Sequence, residues 1–255
     1  MAGKINGEEI KEYWSTFPCR GKWTNYPDML EYAIKLDPFI KRMIDSIKLE
    51  DKEVLDLGCG QGIWSYYMLG KEPKGIIGCD ITPEVLENNE ILLAEAGKTD
   101  QVAFRAYDGT SLPIESQSLD VVISIGVIHH AVDDFALIRE AFRVLRPGGL
   151  FAGLVYRKFS PGHLIRWVLR NSVFLRPLVA PGQQGTFLSE ILYCPVARHY
   201  SISQWTKLLE KAEGKEIRVW SDYSGLERWL PRLGKLVDSA TAGKLGYYVL
   251  WKATK

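Results

Sequence analysis

The sequence predicts an α/β fold with a doubly wound, mostly parallel sheet, and three observations lead to this prediction. Short apolar runs alternate with helical patterns between residues 53 and 156, as in successive βαβ units. One of these runs, at residues 119–126, is apolar on both faces, which is typical of a central strand covered by helices on both sides. The intervening helices carry start and stop signals, such as Thr-Pro-Glu at residues 82–84 and Pro-Gly-Gly at residues 147–149.

Seven apolar runs predict the strands. We expect them at residues 53–58, 75–80, 102–107, 119–126, 149–156, 216–220 and 246–253. A helix over residues 28–48 is expected to re-initiate at Asp37-Pro38, and Ser201 and Gln204 have the spacing of a capping box at the start of a later helix. The chain is interpreted as one domain with four parts: an N-terminal helical arm, a core of alternating strands and helices, an insertion, and a C-terminal helix with strands. They lie at residues 1–50, 51–156, 157–200 and 201–255.

Composition and charge narrow the class of protein. The chain has 255 residues, of which 46% are hydrophobic, and this is enough for a sizeable core. The net charge of +1 argues against a nucleic-acid-binding protein. The polar N-terminus and the lack of an apolar run of about 18 residues predict a cytoplasmic protein without a transmembrane segment. Irregular spacing without a CxxC pair argues against a zinc site or disulfide framework at Cys19, Cys59, Cys79 and Cys194.

The most informative segment is VLDLGCGQG at residues 54–62, a strand that runs into a glycine loop. Glycine permits positive φ and a close approach of a ligand, although a tight strand-to-helix turn can require glycine for geometry alone. Asp56 would repel a pyrophosphate, and the G-x-G-x-G spacing differs from that of dinucleotide sites. Asp80 ends the next strand, where a carboxylate can accept hydrogen bonds from both hydroxyls of a ribose. A nucleoside with a cationic end fits both acids.

Five motifs in order show a resemblance to a known family. VLDLGCGQG, Asp80-Ile81, Tyr107-Asp108-Gly109, residues 111–134 and RVLRPGG at residues 143–149 resemble the motifs of class I S-adenosylmethionine (SAM)-dependent methyltransferases of the type 11 branch. The resemblance implies a Rossmann-like, seven-stranded sheet with an antiparallel C-terminal strand, and SAM as cofactor. It implies cofactor-binding roles for Asp56, Gly58, Cys59, Gly60, Gln61, Gly62, Asp80, Ile81, Asp108, Gly109 and Ile125. For Asp108, an ordinary Asp-Gly turn is the alternative.

Candidate residues for the methyl acceptor lie in three other segments. His129 and His130 follow the fourth strand, where carboxyl ends of parallel strands face the ligand crevice, and they are candidate catalytic residues; bracing of the next helix is the alternative. The insertion, residues 157–200, contains six basic residues and one acid interleaved with apolar ones. It reads as a lid for an apolar, anionic acceptor, compatible with transient contact with a membrane surface, or as a solvated basic face. The candidate substrate-binding residues are Tyr13, Trp14, Arg166 and Arg170; for Tyr13 and Trp14, an N-terminal arm that packs on the sheet is the alternative.

The resemblance implies methyl transfer from SAM to O, N or C of a small-molecule acceptor, with no metal required. Because the cofactor carries its own leaving group, the protein mainly binds and orients, and a base is needed only for certain acceptors. Two other classes stay open: a catalytically silent cofactor-binding protein that acts as an interaction partner, and a NAD(P)-dependent oxidoreductase, which Asp56 and the glycine spacing oppose. The oligomeric state is not readable from the sequence.

Overall fold

Helices and strands alternate along the part of the chain that the computed structural model describes, namely residues 7–17, 23–158, 160, 194–222, 236, 240–241 and 246–255. The helices are α1 (Gly7–Thr16), α2 (Tyr26–Leu36), α3 (Pro38–Asp45), α4 (Ile63–Leu69), α5 (Pro83–Glu95), α6 (Asp134–Val144) and α7 (Ile202–Lys211). The strands are β1 (Glu53–Leu57), β2 (Gly75–Asp80), β3 (Val102–Ala106), β4 (Leu119–Ile125), β5 (Leu145–Tyr156), β6 (Lys215–Asp222) and β7 (Tyr248–Thr254).

All seven strands form one sheet with the order β3-β2-β1-β4-β5-β7-β6. The pairs from β3 to β5 are parallel, whereas β7 is antiparallel to both of its neighbours. This confirms the predicted α/β fold, with a mostly parallel, seven-stranded sheet and an antiparallel C-terminal strand. The strand order reverses at β1, which lies between β2 and β4. Ligands of such sheets bind outside the carboxyl ends of the strands at this switch point.

Side chains that alternate along the central strands build two apolar cores, one on each face of the sheet. Val54 of β1 packs toward α2, α3, α4 and α5, whereas its neighbour Leu55 packs toward α6 and α7. Strand β4 repeats the alternation, since Val121 and Ile123 belong to the first core and Val122 to the second. Both faces of the central strands are therefore covered, as the apolar run at residues 119–126 predicts.

Local signals explain most element boundaries. The side chain of Asn25 accepts a 2.9 Å hydrogen bond from the amide of Asp28 and starts α2. Asp37 has a non-helical φ of −131° and separates α2 from α3, as the Asp-Pro pair predicts. Ser201 and Gln204 form the predicted capping box, with hydrogen bonds of 2.9 and 3.1 Å between side chains and backbone amides. None of the described helices is long and apolar enough to cross a membrane.

The start of β5 differs from the prediction. The prediction places the strand at residue 149, after a Pro-Gly-Gly stop that follows α6, but β5 begins at Leu145. Leu145 pairs with Leu119, and a register shift between Leu119 and Val121 follows before regular pairing resumes. A bulge in the ladder therefore accommodates residues 147–149 within the strand, with Gly148 in the left-handed region at a φ of +78°.

Candidate active site

The glycine loop closes over the ends of β1 and β2 by backbone hydrogen bonds. The amides of Gly58 and Cys59 both donate to the carbonyl of Cys79, at 2.7 and 3.0 Å. Gly58 has a φ of +73°, and a Cβ there would lie 2.2 Å from the side chain of Val127, so no other residue fits. Gly60 has a φ of +49° with nothing within 4 Å of its Cβ position. The loop is thus packed tightly at its first glycine and open at its second.

Asp80 holds the glycine loop in addition to its expected ligand role. Its Oδ2 accepts a 2.9 Å hydrogen bond from the amide of Gly60, and its Oδ1 accepts a 3.0 Å bond from the amide of Thr82 at the start of α5. Burial raises the pKa of this carboxyl, although these hydrogen bonds lower it.

Asp56 is a buried carboxyl beside the loop. It is 2% exposed, and its Oδ2 accepts a 2.7 Å hydrogen bond from the hydroxyl of Ser65 on α4. Burial raises the pKa of Asp56 to about 6, the Ser65 hydrogen bond lowers it, and the nearby charge of Asp80 raises it. The raised pKa shows that the surroundings of Asp56 stabilise its negative charge poorly. A cationic end of the ligand, as predicted, would supply that stabilisation.

Two residues that the sequence does not single out flank the loop. The side-chain amide of Asn89 on α5 donates a 2.7 Å hydrogen bond to the carbonyl of Gly60. A Cβ on Gly62 would lie 2.6 Å from the hydroxyl of Tyr26 and 3.1 Å from Nδ2 of Asn89. Among the described residues, the Tyr26 hydroxyl and Oδ1 of Asn89 are buried without a hydrogen-bond partner. A polar residue on the buried face of α5, between Leu86 and Leu93, is the signal that could have identified Asn89.

The other predicted cofactor residues lie around this loop. Cys59 is buried, and burial raises the pKa of its thiol well above the usual range, which opposes a nucleophilic role. Gln61 is 8% exposed, and Ile81 and Ile125 are half-buried at the ends of β2 and β4.

Asp108 forms a turn after β3. Its Oδ1 accepts hydrogen bonds of 2.7 Å from the amides of both Thr110 and Ser111, and these bonds lower its pKa. Gly109 has a φ of +88°, and a Cβ there would lie 3.8 Å from Ile81. The Asp-Gly turn of the alternative interpretation is thus present. The turn lies beside Ile81, another predicted cofactor residue, so both interpretations of Asp108 agree with this geometry.

The two histidines lie in a single 3₁₀ turn, Ile128–His130, directly after β4. Both are buried, and their ring centroids are 4.0 Å apart. The ring of His129 lies 4.0 Å from that of Tyr156 at the end of β5, and the ring of His130 meets Trp14 of α1 edge-on at 5.0 Å. Tyr13 packs edge-on against Trp14 at 5.0 Å. The structure thus brings together His129, His130, Tyr13 and Trp14, which come from distant parts of the chain.

The bracing alternative would pair a histidine with Asp133 or Asp134 at the start of the next helix, but the described hydrogen bonds of these two acids are with other groups. Asp133 caps α6 by accepting a 2.9 Å hydrogen bond from the amide of Ala136. Asp134 accepts a hydrogen bond from the hydroxyl of Tyr200. The ring of His130 instead contacts the end of the insertion, where the carbonyl of Val196 lies 2.5 Å from Nδ1.

Among the described basic residues of the insertion, Arg157 and Arg198 contact backbone carbonyls through their guanidinium groups. The guanidinium of Arg198 donates to the carbonyls of Ala131 and Val132, the latter at 2.8 Å. The guanidinium of Arg157 lies 3.3 Å from the carbonyl of Gly246, and burial lowers its pKa. Arg166 and Arg170 lie outside the described residues.

Comparison with known proteins identifies the family. Residues 55–153 match the family described as a methyltransferase domain. A 27-O-demethylrifamycin SV methyltransferase of Amycolatopsis mediterranei is 31% identical over 253 residues, which cover 94% of this chain and 91% of the relative. A tRNA U34 carboxymethyltransferase of Nautilia profundicola is 25% identical over 87% of this chain and 69% of the relative. A solved SAM-dependent methyltransferase of Thermotoga maritima has a TM-score of 0.64 at 15% identity, covering 96% of this chain and 99% of that chain.

The chain belongs to the SAM-dependent methyltransferase family. The predictions of a methyltransferase, of SAM as methyl donor and of the Rossmann-like fold are therefore confirmed, and the oxidoreductase alternative is wrong. The acceptors in the names of the relatives are mixed, since one name contains a small molecule and the other tRNA.

Proposed function

We propose that the glycine loop, Asp56 and Asp80 hold SAM, and that Tyr26 and Asn89 contribute to the same site. The orphaned hydroxyl of Tyr26, the open position at Gly60 and the buried carboxyl of Asp56 fit a ligand that carries both hydrogen-bonding and cationic groups. The remaining predicted residues, Gly58, Cys59, Gln61, Gly62, Ile81, Asp108, Gly109 and Ile125, line the ends of β1 to β4. When bound, SAM supplies a methyl group on a sulfonium, which is an excellent leaving group.

We propose a small molecule as the methyl acceptor, placed at the carboxyl ends of β4 and β5. The observation that carries this proposal is the pair of buried imidazoles, His129 and His130, in the turn after β4. Val127 in the same segment packs directly against Gly58, so the histidines lie two and three residues from a contact with the glycine loop. Aromatic rings of Trp14 and Tyr156 surround this position and suit an apolar acceptor.

A histidine at this position suits an acceptor hydroxyl. Transfer to oxygen requires removal of a proton, and a neutral imidazole is the side chain best suited to accept it near neutral pH. Residues of this chain would bind and orient the acceptor, exclude water by the buried aromatic rings and take the proton at His130. The relative with 31% identity, whose name contains a 27-O-demethyl small molecule, supports transfer to oxygen of a small molecule.

For an anionic group on the acceptor, the proposal rests on Arg166 and Arg170. The guanidinium groups of Arg157 and Arg198 contact backbone carbonyls, and we therefore do not assign them to the anionic group of the acceptor. Replacing Arg166 and Arg170 together by Glu should raise KM for an anionic acceptor and leave the affinity for SAM unchanged. An unchanged KM would remove the anion from the proposal. We also propose that the protein is cytoplasmic.

The test is a screen with isotope-labelled SAM against a metabolite extract and, separately, against total tRNA. We expect label in a small molecule that mass spectrometry can identify, and no label with Asp56→Ala, which should lose the cofactor. Label in tRNA would overturn the proposed acceptor class. Binding of SAM without formation of S-adenosylhomocysteine from any fraction would favour a silent cofactor-binding protein.

A further inference from the structure

The last residues of the insertion surround one face of His130. Nδ1 of His130 lies 2.5 Å from the carbonyl oxygen of Val196 and 3.3 Å from the sulfur of Cys194. The thiol of Cys194 also donates to the carbonyl of Val196, at 3.0 Å. Both side chains are buried, with exposed fractions of 4% for His130 and 2% for Cys194. This Cys-His contact lies outside the residues that hold SAM in the proposed function.

The contact with Val196 fixes the position of a proton. A carbonyl oxygen only accepts hydrogen bonds, so Nδ1 of His130 must carry the proton that it donates at 2.5 Å. A neutral imidazole has one protonated nitrogen, and the lone pair that can accept a proton is therefore on Nε2. The opposite tautomer would place two lone pairs against each other in a buried site.

Residues 194–200 are in turn fastened to the turn that carries His130. The amide of Arg198 donates a 2.9 Å hydrogen bond to the carbonyl of His129. Its guanidinium donates to the carbonyls of Ala131 and Val132, and Tyr200 donates to Asp134 at the start of α6. The carbonyl of Val196 is thus held by several contacts to the segment that it orients.

We infer that residues 194–200 are a positioning element that selects the Nδ1-protonated tautomer of His130 and so leaves the basic lone pair of the neutral imidazole on Nε2. Cys194, Val196 and Arg198 are positioning residues, since they act through His130. The inference rests on the proposed function for the identity of the base, whereas the tautomer itself is a property of the protein without any acceptor. The same contacts make the end of the insertion part of the catalytic arrangement.

The test is long-range ¹H–¹⁵N correlation spectroscopy of the uniformly ¹⁵N-labelled full chain without ligand. The sequence contains four histidines, and loss of one set of signals in His130→Asn assigns His130. We expect a protonated Nδ1 and an unprotonated Nε2. A protonated Nε2 with an unprotonated Nδ1 would overturn the inference. Because no acceptor is present, this outcome is independent of whether the methyl group is transferred to oxygen.

Variants test the role of the segment. Arg198→Ala removes the guanidinium contacts, and we expect its His130 signals to move toward an average of the two tautomers. Arg139→Ala, at an exposed arginine of α6, is the matched control and should leave the His130 signals unchanged. If Arg198→Ala does not fold, Cys194→Ala tests the same point, because it removes the thiol that contacts both Nδ1 of His130 and the carbonyl of Val196. Wild-type tautomer signals in a folded variant of either kind would show that the segment does not position the ring.

Discussion

The hydroxyl of Ser65 donates a 2.7 Å hydrogen bond to Oδ2 of Asp56, and it lowers the pKa of a carboxyl that burial has raised. Asp56 therefore titrates near pH 6 in the protein without cofactor, instead of near its ordinary value of 3.8. A residue proposed to attract the cationic end of SAM thus changes its charge close to physiological pH.

We predict that SAM binds more weakly as the pH falls through 6. Protonated Asp56 has no charge with which to attract a cation, so at pH 5 the affinity should be about tenfold lower than at pH 7. Calorimetry in buffers of different ionisation enthalpy should detect release of a proton on binding near pH 6. Ser65→Ala should shift the midpoint upward, because it removes a contact that lowers the pKa. An affinity that is constant from pH 5 to pH 7 would contradict this role of Asp56.

Asp56 also affects the stability of the protein without cofactor. Its pKa is higher in the folded state, so its stabilising contribution is complete below pH 3.8 and is lost as the pH rises through about 6. The corresponding difference is about 3 kcal/mol. Asp56→Asn should therefore raise the free energy of unfolding at pH 7 by up to this amount and have little effect at pH 4. Denaturant titrations at both pH values measure this, and an equal effect at both would contradict it.

Gly60 and Gly97 allow backbone strain to be separated from ligand contact. Their φ values are +49° and +66°, and neither has an atom within 4 Å of its Cβ position. Substitution by Ala should destabilise the fold by about 1–2 kcal/mol in both, because a left-handed conformation is unfavourable for Ala. Only Gly60→Ala should also weaken SAM binding, by tenfold or more, since the open space belongs to the proposed cofactor site. Equal affinities of the two variants in calorimetry would place the ligand elsewhere.

Tyr26→Phe removes a buried hydroxyl that has no partner among the described residues. An unsatisfied buried polar group costs about 1–3 kcal/mol, so the free energy of unfolding without SAM should stay equal or rise. The affinity for SAM should fall about tenfold, because one hydrogen bond to the ligand is lost. Tyr66→Phe is the matched control, since the ring of Tyr66 stacks on that of Tyr26 at 4.7 Å. Unchanged SAM affinity in Tyr26→Phe would remove Tyr26 from the site.

His130→Asn distinguishes a base from a structural ring. The Asn amide can still donate to Val196, but it has no basic nitrogen at the position of Nε2. Once the acceptor is known, we expect kcat to fall by about 10²–10⁴-fold with unchanged affinity for SAM. His130→Ala should lose stability as well, because the carbonyl of Val196 loses its imidazole donor and keeps the weaker thiol donor of Cys194. Near-normal turnover of the Asn variant would show that His130 acts only through structure.

The sequence predicts features that local chemistry specifies. The capping box at Ser201, the break at Asp37 and the two-faced apolar strand β4 each depend on residues close in sequence, and all agree with the structure. The start of β5 is missed because pairing with Leu119 overrides the Pro-Gly-Gly signal. The sequence also does not predict that Tyr26 belongs to the site. Tyr26 is far from the glycine loop in sequence and reaches it only because α2 packs against α4.

Contacts between distant residues limit the prediction of the site in the same way. The glycine loop and Asp80 follow from strand ends and spacing, which a local pattern records. His130 and Val196 are 66 positions apart, and only the folded chain brings them together. A sequence identifies the imidazole but gives no signal for the carbonyl that orients it, because every residue has one.

The two ends of the insertion meet on the sheet. The amide of Lys158 donates to the carbonyl of Tyr200, and the amide of Tyr200 donates to the carbonyl of Tyr156, both at 2.9 Å. Closing a loop between fixed ends becomes only about 0.6 kcal/mol less favourable each time its length doubles. Between Lys158 and the positioning element that begins at Cys194, the chain can therefore be lengthened, shortened or exchanged for that of a relative while the sheet stays intact. Such grafts offer an evolutionary and an engineering route to new acceptors on one unchanged cofactor platform.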